Sequence, residues 1–296
     1  MRVPRHWVRK IVETKDSRGE VHRGEAWGWS ETGVEEAKRR ARNSAERVAD
    51  WLVHGCRDPQ PPRSAQYLYN LDRPPREEIV QELRDAEGET TALITRNVYG
   101  ALVLNTRDLM FIDVDFPKPP RGVVSLLKRF FGQAAPPSND AEEAVVQRVQ
   151  QWCSANSDLG VRLYRTAAGL RVALVGQPMQ PNGDESRRIL EELDSDPLYR
   201  RLCEVQECFR ARLTPKYWRM ASVKQFSMPP ARFPFEEEAT EQRYRQWQRE
   251  YDETAPRFAT CQLVNAYGVQ DAHPELSPLL NLHDSLTGID KALPLA

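Results

Sequence analysis

The chain has 296 residues, enough for one large domain or two modest ones with an ample hydrophobic core. Its 42 basic and 43 acidic residues almost cancel, so no global electrostatic field marks it as a nucleic-acid-binding protein. The first residues lack the apolar run of a signal peptide, and no stretch approaches the roughly 20 apolar residues of a membrane span. The five cysteines show no C-x-x-C pairing, which argues against structural zinc. We therefore expect a cytoplasmic protein without a membrane partner.

Residues 1–57 are predicted to form a small ββα module. Residues 6–30 have the alternation and the central turn chemistry of a β-hairpin. A capping box at Thr32–Glu35 opens a helix whose apolar residues recur at helical spacing as far as Leu52. Acidic residues dilute the basic surface of this helix, which favours a solvated face over contact with nucleic acid. The module either recruits a protein partner or braces the rest of the fold.

Residues 58–89 are predicted to be a proline-rich connector and a helix that begins near Pro74 and runs through Leu83. Two β-rich arms follow on either side of Asn97. Residues 117–140, rich in proline and glycine, are expected to form a loop insertion.

The segment Arg107–Pro117 is an apolar run that ends in Asp113 and Asp115. Residues two apart on a strand point to the same face, so these carboxylates should lie side by side. Paired carboxylates at the end of a strand are a common way to hold a hard cation such as Mg²⁺ or Mn²⁺. The alternative is a strand end with two solvated acids, because D-x-D is a short pattern that recurs by chance.

The elements after Asp113 predict an α+β fold of the ferredoxin-like, βαββαβ type. The expected order is strand, helix, strand, strand, helices, strand, with the later elements at about residues 139–152, 160–165, 170–175, 184–193, 197–205 and 208–213. This main domain spans residues 90–235. Residues 236–296 are expected to be a helical and loop-rich tail, in which His283 and Asp284 lie at the surface.

Basic residues are segregated from acidic ones near the last predicted strand. No acidic residue occurs between Cys208 and Phe235, although six arginines and lysines do. Arg210 and Arg212 share one face of that strand. A carboxylate pair facing a row of cations suits a metal-bound polyphosphate, but these cations could instead pair with acids elsewhere or face water.

Two segments resemble motifs of the archaeo-eukaryotic primase superfamily, which includes the primase-polymerases. Phe111–Asp115 resembles the first motif, and Tyr164–Val172 resembles the second, a small-residue turn that enters a strand. The resemblance covers about residues 90–235. It implies an RRM-like catalytic sheet that binds a nucleoside triphosphate on two metal ions and forms phosphodiester bonds in DNA or RNA.

The resemblance and the acid-free basic stretch together give the candidate site residues. Asp113 and Asp115 would be the catalytic, metal-binding acids. The residues expected to bind nucleotide or phosphate are Arg165, Gly169, Arg171, Arg210, Arg212 and Lys216. Arg171 stands where the family has a histidine, the third-motif acid has no clear match, and all five histidines lie outside the predicted sheet.

Two functional hypotheses remain open. The first is a metal-dependent nucleotidyltransferase or a degenerate derivative of one. The second is a non-catalytic module that binds nucleotides or nucleic acid. Three other enzyme classes that use D-x-D are less favoured. Phosphatases would show doubly wound strand–helix alternation, and glycosyltransferases a long Rossmann-like half, neither of which the sequence has. A nuclease would need a further acid and an unconstrained lysine near the D-x-D pair.

Overall fold

A computed structural model describes residues 1–54, 74–117, 139–269 and 271–296. The fold is α+β, as predicted, and contains one two-stranded hairpin and two four-stranded antiparallel sheets in these residues. The strands are β1 His6–Lys15, β2 Val21–Ser30, β3 Glu78–Arg84, β4 Thr90–Arg96, β5 Leu102–Thr106, β6 Met110–Asp115, β7 Val161–Thr166, β8 Gly169–Leu174, β9 Phe209–Arg212 and β10 Cys261–Tyr267. The helices are α1 Val34–His54, α2 Asn139–Ala155, α3 Asp184–Glu192, α4 Pro197–Gln206, α5 Glu238–Thr254 and α6 Ser277–Thr287.

The N-terminal hairpin and helix form as the sequence predicts. The strands β1 and β2 pair along their whole length, and α1 lies across β2. A Cβ atom added at Gly28 would lie 2.2 Å from the carbonyl oxygen of Ala37, so only glycine allows the helix this close to the strand. The helix faces the hairpin with small side chains: Ala37, Ala41, Ala45 and Ala49.

The segment that leads into α1 differs from the predicted capping box. The hydroxyl of Ser30 accepts hydrogen bonds from the backbone amides of Thr32 and Gly33, which precede the helix start at Val34. The carboxylate of Glu36 accepts from the hydroxyls of Ser30 and Thr32. The Ser30 hydroxyl therefore orders the turn between β2 and α1, and does not satisfy amides of the first helical turn.

The first four-stranded sheet has the order β3-β4-β5-β9. The helix predicted through Leu83 is wrong, because residues 78–84 form β3 and pair with β4. Three apolar residues are too few to separate a helix from a strand, and Ile79 and Val80 are β-branched. The predicted connector up to residue 73 and residues 118–138 of the predicted insertion lie outside the described residues.

The second sheet has the order β10-β7-β8-β6. The tight turn between β7 and β8 is present, and Asp113 and Asp115 on β6 lie opposite Arg171 and Gly169 on β8. Three strands of the predicted βαββαβ order thus share one sheet. The last strand does not: β9 pairs with β5 in the other sheet.

Side chains, not a further strand, occupy the outer edge of β6. Three backbone carbonyls on this edge accept hydrogen bonds, so they are satisfied without a ladder. The pairs are Leu109 with the Thr106 hydroxyl (2.6 Å), Phe111 with the Tyr199 hydroxyl (2.5 Å) and Asp113 with the Ser195 hydroxyl (3.0 Å). The phenol oxygen of Tyr199 also accepts from the backbone amide of Arg210 at 3.4 Å. Tyr199 therefore holds β9 beside β6 where a direct strand pair was expected.

The C-terminal region is more structured than the predicted loop-rich tail. The strand β10 pairs with β7, and α6 packs through Leu279 and Leu280 onto a core cluster that includes Phe111. The expectation that His283 and Asp284 lie at the surface is wrong, since both are buried. Their helix carries an apolar face against the sheet, and these two residues lie on it.

No helix in the part of the chain that the structure describes combines the length and the apolar character needed to cross a membrane.

Candidate functional site

A cleft of about 230 Å³ is lined by residues from both four-stranded sheets. It gathers the end of β6, the start of β8, the start of α4, and β9 with the segment that follows it. The charged residues in its lining are Asp113, Asp115, Arg171, Asp196, Arg210, Arg212, Lys216 and Arg219. Six of the eight residues named from the sequence therefore meet in one place.

Asp113 forms an ion pair with Arg171, its cross-strand neighbour. The arginine Nε lies 2.9 Å from Oδ1, and Nη2 lies 3.5 Å from Oδ2. The Arg171 side chain is fully buried, whereas the Asp113 side chain is 33% exposed. Burial lowers the pKa of Arg171, but the charge and hydrogen bond of Asp113, together with the nearby Cys261 and Tyr199, outweigh burial and hold that pKa above its ordinary value. The arginine thus stays charged and occupies part of the acceptor capacity of Asp113.

A buried histidine, His283, contacts the guanidinium group of Arg171. The Nη1 atom of Arg171 donates to the backbone carbonyl of Arg212 at 3.0 Å and lies 3.3 Å from Nε2 of His283. Since Nε2 must accept here, the imidazole proton belongs on Nδ1, which lies 2.8 Å from Oδ1 of Asp284. Burial lowers the pKa of His283, and the charge of Arg171 adds to this, which keeps the ring neutral.

Sequence reasoning missed this support, although a signal was present. In the C-terminal segment, Leu279, His283 and Thr287 recur at a spacing of four residues. That spacing places His283 on the apolar face of a helix.

Two further carboxylates reach the cleft. Asp115 is exposed at the end of β6, on the same strand face as Asp113. Asp196 caps α4, because its Oδ1 accepts the backbone amide of Tyr199 at 2.9 Å. The backbone amide of Asp196 lies 3.3 Å from the carbonyl oxygen of Asp113, which ties the helix start to β6. The predicted helix break at this residue therefore brings a third acid to the site.

The donor set of the cleft fits a cation that is shared with a ligand. Mg²⁺ is usually held by one or two carboxylates together with substrate phosphates, and Asp113 and Asp115 can supply these carboxylates. Within the described ranges, the single cluster of three acid, histidine or cysteine side chains close enough to share an ion lies elsewhere, at Asp16, Glu20 and His22. Asp16 there accepts backbone amides of the hairpin turn, which accounts for that cluster.

Three cations crowd the opposite wall of the cleft. Burial, then the charges of Arg219 and Arg171, lowers the pKa of Arg212 to about 10. Burial, then the charges of Arg212 and Arg219, lowers the pKa of Lys216 to about 8. Burial also lowers the pKa of Arg219. The charged forms of all three are thus penalised, and the carboxylates of Asp113 and Asp115 only partly offset this for Lys216.

Two of these guanidinium groups also have unsatisfied hydrogen-bond donors. The Nε atom of Arg212 and the Nη1 atom of Arg219 are buried and have no hydrogen-bond partner among the described groups. Buried donors in native proteins almost always find an acceptor. An anion with several oxygens would satisfy both donors and relieve the crowding of positive charge.

The remaining predicted residues have other partners. Arg210 donates to both carboxylate oxygens of Glu77, at 2.8 and 3.0 Å, so its charge is balanced although it lines the cleft. Arg165 pairs with Glu142 at 3.0 Å and is not in the lining. Gly169 serves the strand pairing, because a Cβ atom there would lie 2.0 Å from the carbonyl oxygen of Val114.

Comparisons with known proteins found no relative of this chain. No protein-family model matches it, and no curated protein or solved structure is significantly similar to it.

Proposed function

We propose that the cleft binds the phosphates of a nucleoside triphosphate together with Mg²⁺ or Mn²⁺. The observation that carries the proposal is the cluster of Arg212, Lys216 and Arg219, whose lowered pKa values and unsatisfied donors call for an anion. Asp113 and Asp115 line the same cleft, and both raise the pKa of Lys216 through their charge. A cation held there would neutralise phosphate charge, while the three basic side chains bind phosphate oxygens.

The proposal includes the primase-like type of fold. Its support is the antiparallel set β6, β8 and β7, with two acids at the end of β6 and a small-residue turn between β7 and β8. In this comparison Arg171 takes the place of the histidine of the second motif. The ligand phosphates could then belong to a free nucleotide or to a strand of DNA or RNA.

Binding without nucleotidyl transfer is the better-supported form of this function. Arg171 donates hydrogen bonds to the carboxylate of Asp113, so fewer carboxylate oxygens remain to coordinate two metal ions. Nucleotidyl transfer is the second candidate, and the observation that favours it is Asp196, a third carboxylate in the lining. Extension of a primed DNA strand in the presence of Mn²⁺ separates the two candidates, since only the second predicts a longer product.

Titration calorimetry with ATP and Mn²⁺ tests the binding. Replacing Lys216 by methionine should weaken ATP binding about 10-fold or more, because a hydrogen bond to a charged group is worth about 1.5–3 kcal/mol. Replacing Asp115 by asparagine should remove the dependence of binding on Mn²⁺ while leaving the Asp113–Arg171 ion pair in place. The matched controls are Lys38→Met on α1 and Asp184→Asn on α3, two exposed positions outside the cleft. Absence of ATP binding, or equal binding by Lys216→Met, would contradict the proposal.

The affinity for polyphosphate should depend on pH through Lys216. Its pKa of about 8 means that the side chain loses its charge as the pH rises through that value. An anion binds the charged form, so the affinity should fall between about pH 7 and pH 9, above the second ionisation of phosphate near pH 6. In Lys216→Arg the charge persists over this range and the curve should be flatter. Calorimetric titration with ATP, whose single terminal phosphate is already ionised over most of this range, measures both curves at several pH values, and identical slopes would contradict this role of Lys216.

A further inference from the structure

An exposed tryptophan lies directly beside the three cations. Trp218 is 44% exposed and belongs to the short 3₁₀ helix Tyr217–Arg219, which follows Lys216. Large aromatic residues are mostly buried, so an indole this exposed is unusual for a residue that only fills the core. The segment thus presents an aromatic ring and two cleft cations within four consecutive residues.

Two tyrosines hold the indole in place. The rings of Tyr99 and Trp218 meet edge to face with centroids 5.3 Å apart, and those of Tyr217 and Trp218 do so at 4.8 Å. Tyr99 comes from the turn between β4 and β5 and itself lines the cleft. The two tyrosines therefore fix the indole next to the cleft, whose lining includes Tyr99 but not Trp218 itself.

The Trp218 ring and Lys216 lie close enough for one ligand to reach both. The ammonium group lies over the ring, 5.3 Å from its centroid, so Lys216 and the indole already form a cation–π contact. A nucleotide carries its base one sugar away from its phosphates. Stacking on an aromatic side chain is a general way to bind a base, because every base has a π-face.

We infer that Trp218, held by Tyr99, stacks on the nucleobase of a ligand whose phosphates bind Arg212, Lys216 and Arg219. This inference rests on the proposed function and narrows it to phosphates that carry an aromatic base. Inorganic polyphosphate would bind the same three cations, but it has no base to stack on the indole and so gains no affinity from it. The ligand is thus a nucleotide, not a simple polyanion.

Paired titrations with ATP and with tripolyphosphate, both with Mn²⁺, test the inference. Trp218→Ala should bind ATP about 5- to 100-fold more weakly, from the range measured for stacking on one base, and should bind tripolyphosphate as the unchanged protein does. Trp218→Phe should recover most of the lost affinity, because it retains a ring. Trp51→Ala is the matched control, since Trp51 is 43% exposed and belongs to α1, which contributes no residue to the lining of the cleft.

The outcomes separate the inference from the function on which it rests. Equal affinities for ATP and tripolyphosphate, unchanged in Trp218→Ala, would overturn the base-stacking inference and leave phosphate binding intact. Loss of tripolyphosphate binding in Trp218→Ala would also overturn it, because the indole would then be shaping the phosphate subsite. Failure of both ligands to bind the unchanged protein would overturn the proposed function and the inference together.

Discussion

Replacing Arg210 by methionine is expected to lower the free energy of unfolding by about 3–5 kcal/mol. Arg210 pairs with Glu77, whose side chain is only 1% exposed, and the substitution leaves that carboxylate buried without its counter-charge. The hydroxyl of Thr95 donates to Glu77 at 2.5 Å, but a neutral donor cannot replace the guanidinium. Urea denaturation followed by circular dichroism measures the loss.

The double variant Arg210→Met with Glu77→Gln is the control for this explanation. Glutamine removes the stranded charge and retains an acceptor for Thr95, so the double variant should be more stable than Arg210→Met alone. Equal stability of the two variants would show that the loss comes from packing and not from an unpaired carboxylate.

Replacing Arg171 by methionine is expected to cost about 3 kcal/mol, the lower end of the same range. The substitution leaves Asp113 unpaired, but that side chain is 33% exposed and water can reach it. It also removes hydrogen bonds to the carbonyl of Arg212 and to His283. Both variants remove an arginine that pairs with one acid, so their comparison tests whether burial of the remaining acid sets the size of the loss.

Denaturation of Arg171→Met, of Arg171→Met with Asp113→Asn, and of Arg210→Met under one set of conditions checks this order. We expect Asp113→Asn to restore less of the lost free energy of unfolding than Glu77→Gln does. The reason is that an unpaired carboxylate that water can reach is less destabilising than a fully buried one. A larger loss for Arg171→Met than for Arg210→Met would contradict the assignment, and would indicate that packing around the fully buried Arg171 outweighs the charge left behind.

Local elements could be predicted from the sequence because their signals are local. Alternation and turn residues specify the β1–β2 hairpin and the turn at residues 166–169, and Asp196-Pro197 specifies the start of α4. The prediction of a helix at residues 78–84 was wrong because the apolar residues there fit both the helical and the strand period. The pairing of this segment with β4 makes it a strand.

The pairing of distant strands could not be predicted in the same way. The order of elements is compatible with a direct pairing of β9 with β6. No local sequence signal shows that the Tyr199 hydroxyl would instead bridge the backbones of the two strands. Sequence order constrains sheets only loosely, since several pairings satisfy the same apolar pattern.

The site was recognised by its charges more than by its contacts. The D-x-D pair and the acid-free stretch after Cys208 located both walls of the cleft, and that stretch also contains Arg219. Charge alone could not separate Arg210, which Glu77 neutralises, from Arg212, which retains an unsatisfied donor. That distinction depends on partners far away in the sequence, as does the support of Arg171 by His283.

The joining of β5 to β9 sets an order of events for the folding chain. The meander β3-β4-β5 and the hairpin of β7 and β8 close over short loops, whereas the amide of Leu102 bonds to the Thr214 hydroxyl across 112 positions. Long-range closures cost more entropy and come late, so β9, which carries Arg212, joins β5 after the β3-β4-β5 meander has formed. A ligand that bound both Arg212 and the carboxylates of β6 would bind the assembled state only, and would therefore stabilise it by mass action.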